Sequence, residues 1–298
     1  MARYEFNVDL EAVSALDVHV HIEADGHGHD SLPERFTAAS AAYFKSEERS
    51  PSLDTIAERY REWNMAAVVF TVDARTNLGH QPNSIEEIAE GAARNNDVLI
   101  PFGSVDPLTG ADAVARARML VEDYGVAGFK FHPSLQGFDP SSPEYYPLWE
   151  TLQDLNVPAL FHTGQNGIGA GLPGGGGIKL RWSNPALLDD VAADFPNLQI
   201  IMAHPSVPWQ EEAISIATHK ANVWIDLSGW SPKYFPAELV RAANSRLQDK
   251  VLFGTDYPLI TPQKWFGAFD QLQLKDEVRP KILKANAIEL FRRTGLVK

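Results

Sequence analysis

A chain of 298 residues, 44% hydrophobic and 22% charged, holds enough apolar material for one large core, and its formal charge of −13 excludes the basic face that general nucleic-acid binding requires. It has no cysteine, so disulfides are excluded and any metal ion must be held by nitrogen and oxygen. No segment approaches the roughly 18 apolar residues of a membrane span, and the amino terminus lacks a basic start followed by an apolar run, so a soluble cytoplasmic protein is expected.

Taken in chain order, short apolar runs alternate with longer amphipathic ones. A first strand at 16–20 runs into His19-Val20-His21 and is followed by a long polar insertion, 23–50. A helix at 53–63 leads to a strand at 67–72. The next helix, 84–95, opens on Asn83-Ser84 with Glu86 and Glu87 in its first turn, a capping residue followed by acids. Strand 99–105, helix 111–124, strand 126–131, helix 145–155 and strand 158–162 follow. A second insertion, 163–183, contains the run GIGAGLPGGGGIKLRW. Helix 185–194 begins at Asn184-Pro185, where the missing N–H of proline costs nothing. Strand 198–202, helix 209–220, strand 223–227, helix 237–244 and strand 251–254 come next, and helical segments at 262–272 and 276–293 end the chain. Val, Ile and Phe in these strands suit a buried parallel sheet.

Eight strands, each followed by helix, match a (β/α)8 TIM barrel formed by a single domain over 1–298. A doubly wound open sheet would need a phosphate-binding glycine loop after its first strand, and HIEADGHGHD is not one. The long βα-loops after strands 1 and 5 fall on the face where barrels carry their chemistry.

Strand side chains alternate faces, so His19 and His21 point the same way and offer two nitrogens to one ion. His162 ends PALFH, His204 ends IIMAH and Asp256 ends VLFGTD. An unpaired carboxylate at the end of a buried strand is costly, and a cation resolves that cost. His19, His21, His162 and Asp256 therefore form the expected metal-ligand set. Three imidazoles and a carboxylate suit Zn2+, or with less selectivity Mn2+ or Fe2+, with an open position for water activated near neutral pH. His204 is placed to accept a proton or polarise a carbonyl oxygen. His204 and Asp256 are the expected catalytic residues.

HxH on strand 1, histidines on strands 5 and 6 and GTDYP on strand 8 resemble the amidohydrolase superfamily, and within it the amidohydrolase-2 family typified by aminocarboxymuconate semialdehyde decarboxylase. The resemblance spans nearly the whole chain. It implies the same four ligands and His204 as the catalytic histidine. That family contains hydrolases and non-oxidative decarboxylases, many of them in aromatic catabolism. The stretches GFKFHPSLQGFDPSSPEYYPLWE, HTGQNGIGAGLPGGGGIKLRWSNP and DLSGWSPKYFP are similar to a group that hydrolyses 4-hydroxyphenyl-β-ketoacyl-CoA. That implies a metal-dependent hydrolase cleaving a C–C bond. Decarboxylation of an aromatic or muconate-type acid is the alternative, and a non-catalytic barrel that binds metal or metabolite is the second.

Lys130, in GFKFHP, is expected to bind a substrate carboxylate or carbonyl, or to be carboxylated and bridge two metals as in binuclear superfamily members; His132 shares its face. Lys179 and Arg181 follow the glycine tract and could clamp a carboxylate or the phosphates of coenzyme A, the alternative being a hinge without ligand. Trp230 and Tyr257 are candidate walls for an aromatic substrate, although packing explains them equally well. His27 and His29 read as solvated loop residues or lid contacts with substrate. The expected partner is a small anionic or aromatic molecule, and a homodimer is a base-rate expectation.

Overall fold

The computed structural model describes residues 3–44 and 51–298. Eight parallel strands alternate with helices: β1 (Ala15–His21), β2 (Met65–Phe70), β3 (Leu99–Pro101), β4 (Phe129–Phe131), β5 (Ala159–His162), β6 (Ile200–Ala203), β7 (Val223–Asp226) and β8 (Val251–Leu252). All eight lie where the apolar runs place them, but four, β2, β3, β7 and β8, stop sooner at their C-terminal ends than the sequence suggests. There the chain leaves the ladder to present side chains.

The helices are α1 (Glu34–Phe44), α2 (Leu53–Glu62), α3 (Arg75–Leu78), α4 (Ile85–Arg94), α5 (Ala111–Glu122), α6 (Pro133–Gln136), α7 (Tyr146–Asp154), α8 (Leu187–Asp194), α9 (Gln210–His219), α10 (Ala237–Ala243), α11 (Pro262–Phe269) and α12 (Asn286–Arg293). Ser84 caps α4 by accepting from the Glu87 N–H at 3.2 Å, as its sequence indicates. α1 falls inside the first insertion and was not anticipated. Its run ERFTAASAAYF has no clear apolar stripe, so periodicity gives no signal. The last six positions of that insertion, 45–50, lie outside the described residues. No helix among the described residues is long and apolar enough to cross a membrane.

Regular pairing forms two sheets, β1-β2-β3 and β4-β5-β6-β7-β8. Single bridges join them at Gly103↔Phe129 and Val20↔Tyr257, completing a barrel-like circuit. The β1–β2 ladder shifts register between Asp17 and Val20. The Asp17 carboxylate reaches across to the segment that follows β8. It accepts from the backbone N–H of His19 (3.1 Å) and Thr255 (3.0 Å), the Thr255 hydroxyl (2.6 Å) and the Tyr60 hydroxyl (2.7 Å). Burial raises this carboxyl to about 6, against the lowering effect of those bonds. One acidic side chain thus ties together the two strands that carry His19 and Asp256.

Inside the circuit lie Leu16, Val18, Val68, Ile100, Leu160, Ile201, Trp224 and Leu252, all buried. A larger apolar layer packs the strands against the helices. The two insertions meet over the C-terminal strand ends. Phe36 of α1 packs with Leu32, Val72, Ala74 and Leu135, against Ile168, Leu172 and Ile178 of the second loop.

Candidate metal centre and active site

His19, His21 and Asp256 converge at the C-terminal ends of β1 and β8. His19 Nε2 and His21 Nε2 are 3.2 Å apart, and each lies 3.2 Å from Asp256 Oδ1. Ligands on a tetrahedral ion with bonds of about 2.0–2.1 Å stand about 3.3 Å apart, so this triangle fits one face of such a polyhedron. Burial alone would raise the Asp256 carboxyl, but the nearness of His19 and His21 holds it well below the usual carboxylate range.

Asp226, at the end of β7, was missed in the sequence and organises the other side of the site. Its Oδ2 accepts from His19 Nδ1 at 2.6 Å and from the Ser228 hydroxyl at 2.8 Å, and its Oδ1 accepts from the Ser228 N–H at 2.8 Å. Burial opposes ionisation of Asp226, yet His19 and these bonds keep its pKa below the ordinary value. A buried carboxylate must receive donors, which assigns the tautomers along a chain. His19 carries its proton on Nδ1, leaving the Nε2 lone pair towards the ligand triangle. Ser228 Oγ, having donated to Asp226, accepts from His204 Nδ1 at 3.0 Å. His204 Nε2 then accepts from His162 Nδ1 at 3.0 Å. The chain ends on His162 Nε2, a buried atom with no hydrogen-bond partner.

Three of the four expected ligands therefore lie together, while His162 stands outside the triangle. Its Nδ1 is committed to His204, and its ring stacks on His132 with centroids 3.8 Å apart. Burial drives the pKa of both rings well below the ordinary histidine value, so both are neutral and His162 Nε2 presents a lone pair. An orphaned buried acceptor beside a two-histidine, one-carboxylate triangle fits a site built for a divalent cation.

His204 and Asp256 sit in strained backbone. Their φ angles are 73° and 67°, in the left-handed region that costs a non-glycine residue about 1–2 kcal/mol. These kinks turn both side chains inward just past the ends of β6 and β8. The neighbouring glycines make room. A Cβ on Gly229, itself at φ 73°, would lie 2.4 Å from His204 Nδ1, and one on Gly254 would lie 2.2 Å from Asp226 Oδ1. Burial lowers the His204 pKa to about 4, so this imidazole is neutral at pH 7.

A cavity of about 430 Å³ opens above the site. Lys130, His132, His162, His204, Trp230 and Asp256 are among its lining residues. Lys130 Nζ is 3.1 Å from His19 Nε2, and burial lowers the ammonium to about 7. Of the other expected substrate contacts, Tyr257 is fully buried outside the cavity, packed against Tyr60 and Trp63. Lys179 and Arg181 are exposed and do not line the cavity; the Arg181 guanidinium stacks on Trp182 instead. The glycine tract serves packing at Gly176, where a Cβ would strike the Phe36 ring at 2.5 Å. His27 and His29 are exposed and anchor the first insertion by pairing with Glu87 (2.7 Å) and Asp25 (3.1 Å).

Asp226 left a signal that could have been read. Like Asp256, it ends a buried apolar run, VWID, where a carboxylate needs a partner. Ser228 and Gly229 left none, because their contacts come from distant strands.

Comparison with known proteins agrees with this architecture. An uncharacterized TIM-barrel protein from Bordetella bronchiseptica superposes with a TM-score of 0.77 at 24% identity, over 94% of this chain and 99% of that one. A dihydroxybenzoic acid decarboxylase from Polaromonas sp. JS666, with bound manganese and the inhibitor 2-nitroresorcinol, superposes with a TM-score of 0.63 at 17% identity, over 94% and 97% of the two chains. At these identities the likeness shows the fold. The gamma-resorcylate decarboxylase of Rhizobium sp. (strain MTP-10005) is 23% identical over 279 residues, 78% of this chain and 82% of that protein. The amidohydrolase family model, of the Amidohydro_2 type, matches residues 16–293, and the chain belongs to that family.

Proposed function

We propose that this enzyme is a metal-dependent, non-oxidative decarboxylase of a small aromatic carboxylic acid, formed as one barrel domain over 1–298. The observation that carries the reading is the His19–His21–Asp256 triangle beside Lys130, in a cavity with mainly apolar walls. The decarboxylases among its relatives support the same reading over the hydrolytic one.

His19, His21 and Asp256 would hold one divalent ion, manganese or zinc, with His162 Nε2 as the fourth donor. Such an ion, when bound, supplies a fixed positive charge that orients substrate oxygens and stabilises negative charge developing on them. Lys130 pairs with the anionic group of the substrate. Loss of carbon dioxide leaves an electron pair on the ring carbon, which must take a proton. Lys130 is the cavity cation whose proton is loosest, since burial brings it to about 7, and it is assigned that transfer and is reprotonated from water. His204, neutral and bonded on both nitrogens, to Ser228 and to His162, fixes the orientation of His162 and lines the cavity beside the ring. Trp230 forms part of the wall.

A second cleft favours a second reading, hydrolysis of the C–C bond in an aromatic β-ketoacyl thioester. The cleft, about 560 Å³, carries Lys233 and Lys264 and shares Tyr234 and Ile260 with the main cavity. An elongated anionic tail such as that of coenzyme A would fit there. The two readings separate in one experiment. Manganese- and zinc-loaded protein is incubated with a panel of hydroxybenzoates and, separately, with a benzoylacetyl thioester. Carbon dioxide from a hydroxybenzoate supports the first reading. Acetyl thioester release without any carbon dioxide refutes it in favour of the second.

A further inference from the structure

Two polar atoms in the loop side of the cavity have no hydrogen-bond partner within the protein: Ser40 Oγ, on α1 of the first insertion, and Asn166 Nδ2, on the second. Both residues line the cavity. Asn166 is only 8% exposed, and its amide orientation is fixed because Oδ1 accepts from the Ile168 N–H at 2.9 Å. The Nδ2 protons are therefore left for something else. A buried donor without an acceptor costs about 1–3 kcal/mol, which a native fold rarely carries without a use. The ion-binding atoms sit on the strand ends, whereas these two sit on the loops that cover them.

We propose that Ser40 and Asn166 form a polar subsite that recognises a phenolic hydroxyl on the substrate ring, away from the reacting carboxylate. The chemistry of the pair selects that group. Asn166 Nδ2 can only donate, so its partner must be an acceptor. Ser40 Oγ can accept, so a group that also donates satisfies both. A phenol does this, whereas a methoxy oxygen has no proton to give and must take both donors on one oxygen. Binding of a ring lacking the oxygen would leave the donor stranded, which is how polar sites reject analogues. This inference rests on the aromatic-acid reading above and names the substitution pattern of that substrate.

The test is equilibrium titration of the manganese-loaded full chain, which needs no turnover. Salicylate is compared with 2,4- and 2,5-dihydroxybenzoate, and with their methyl ethers at the added oxygen. Wild type is expected to bind one dihydroxybenzoate about 5- to 10-fold more tightly than salicylate, the gain of a neutral hydrogen bond. Asn166→Asp keeps the acceptor for Ile168 and removes the donor, so it controls for loop collapse. Ser40→Ala should erase most of that preference while leaving salicylate affinity unchanged, and Asn166→Asp, whose charge weakens every anion, should erase the preference on top of a common loss. Equal affinity of wild type for all the ligands overturns the subsite while the aromatic-acid reading stands. An equal loss for every ligand in both variants also overturns it. Failure of every benzoate to bind overturns the aromatic-acid reading and this assignment with it.

Discussion

Asp226→Asn isolates what the buried carboxylate contributes to metal binding. The His19 Nδ1···Asp226 Oδ2 contact is 2.6 Å, and neither side chain has any exposed surface, so solvent does not screen it. A hydrogen bond to a charged partner contributes about 1.5–3 kcal/mol and a neutral one about 0.5–1.5, so the substitution forfeits roughly 1–2 kcal/mol. At 1.4 kcal/mol per decade, that is a loss of roughly 5- to 30-fold in affinity if the whole difference falls on the metal-bound state. The amide adds a second fault. The carboxylate receives the His19 ring N–H, the Ser228 hydroxyl and the Ser228 backbone N–H, and an amide has only one oxygen to offer. Mutation of residues that support metal-ligating histidines costs about 10- to 100-fold, so the expected weakening of Mn2+ binding lies near 10-fold or above. Competition against a fluorescent chelator measures it, with near-ultraviolet circular dichroism as the control for folding. Wild-type Mn2+ affinity in a correctly folded variant would refute the reasoning.

The remaining predictions address the same site. Gly229→Ala should displace His204 and cut turnover of a decarboxylated substrate by more than 10-fold, because its Cβ meets His204 Nδ1 at 2.4 Å and φ 73° adds about 1 kcal/mol of strain; a crystal structure with His204 unmoved would count against it. His204→Asn should abolish turnover and leave bound metal near the wild-type level by elemental analysis, whereas loss of metal would make His204 a ligand. Lys130→Met should abolish carbon dioxide release and weaken substrate binding, and loss of a second metal equivalent would instead show that Lys130 bridges two ions. Metal-free protein should lose stability as pH falls. The folded state keeps His204 neutral down to about 4, while the unfolded chain takes up that proton near 6.5, so this residue alone removes about 3 kcal/mol between those values. Urea unfolding at successive pH values should show that slope below 6.5, and His204→Asn should lessen it, leaving the part that His132 and His162 contribute.

The sequence by itself determined the strand and helix rhythm and the position of each metal-competent side chain at a strand end. Period-two alternation through His19-Val20-His21 and apolar runs closing on His162 and Asp256 are local signals, and local signals survive in one dimension. Asp226 was equally local and was overlooked, though the cost of a lone carboxylate in VWID is the argument that singled out Asp256. The tertiary structure alone decided the rest. Tyr257 turned inward, Lys179 and Arg181 outward, and His162 gave its Nδ1 to His204 and kept Nε2 without a partner. The left-handed backbone at His204 and Asp256 could not be foreseen either, since neither residue is a glycine. Ser228 became a junction only because β1, β6 and β7 bring His19, His204 and Asp226 within 3.0 Å of one hydroxyl. Closing a circuit of strands sets side chains more than 200 positions apart at hydrogen-bonding distance. Which nitrogen then carries a proton is fixed by that distant partner, and nothing in either residue's own neighbourhood along the chain records it.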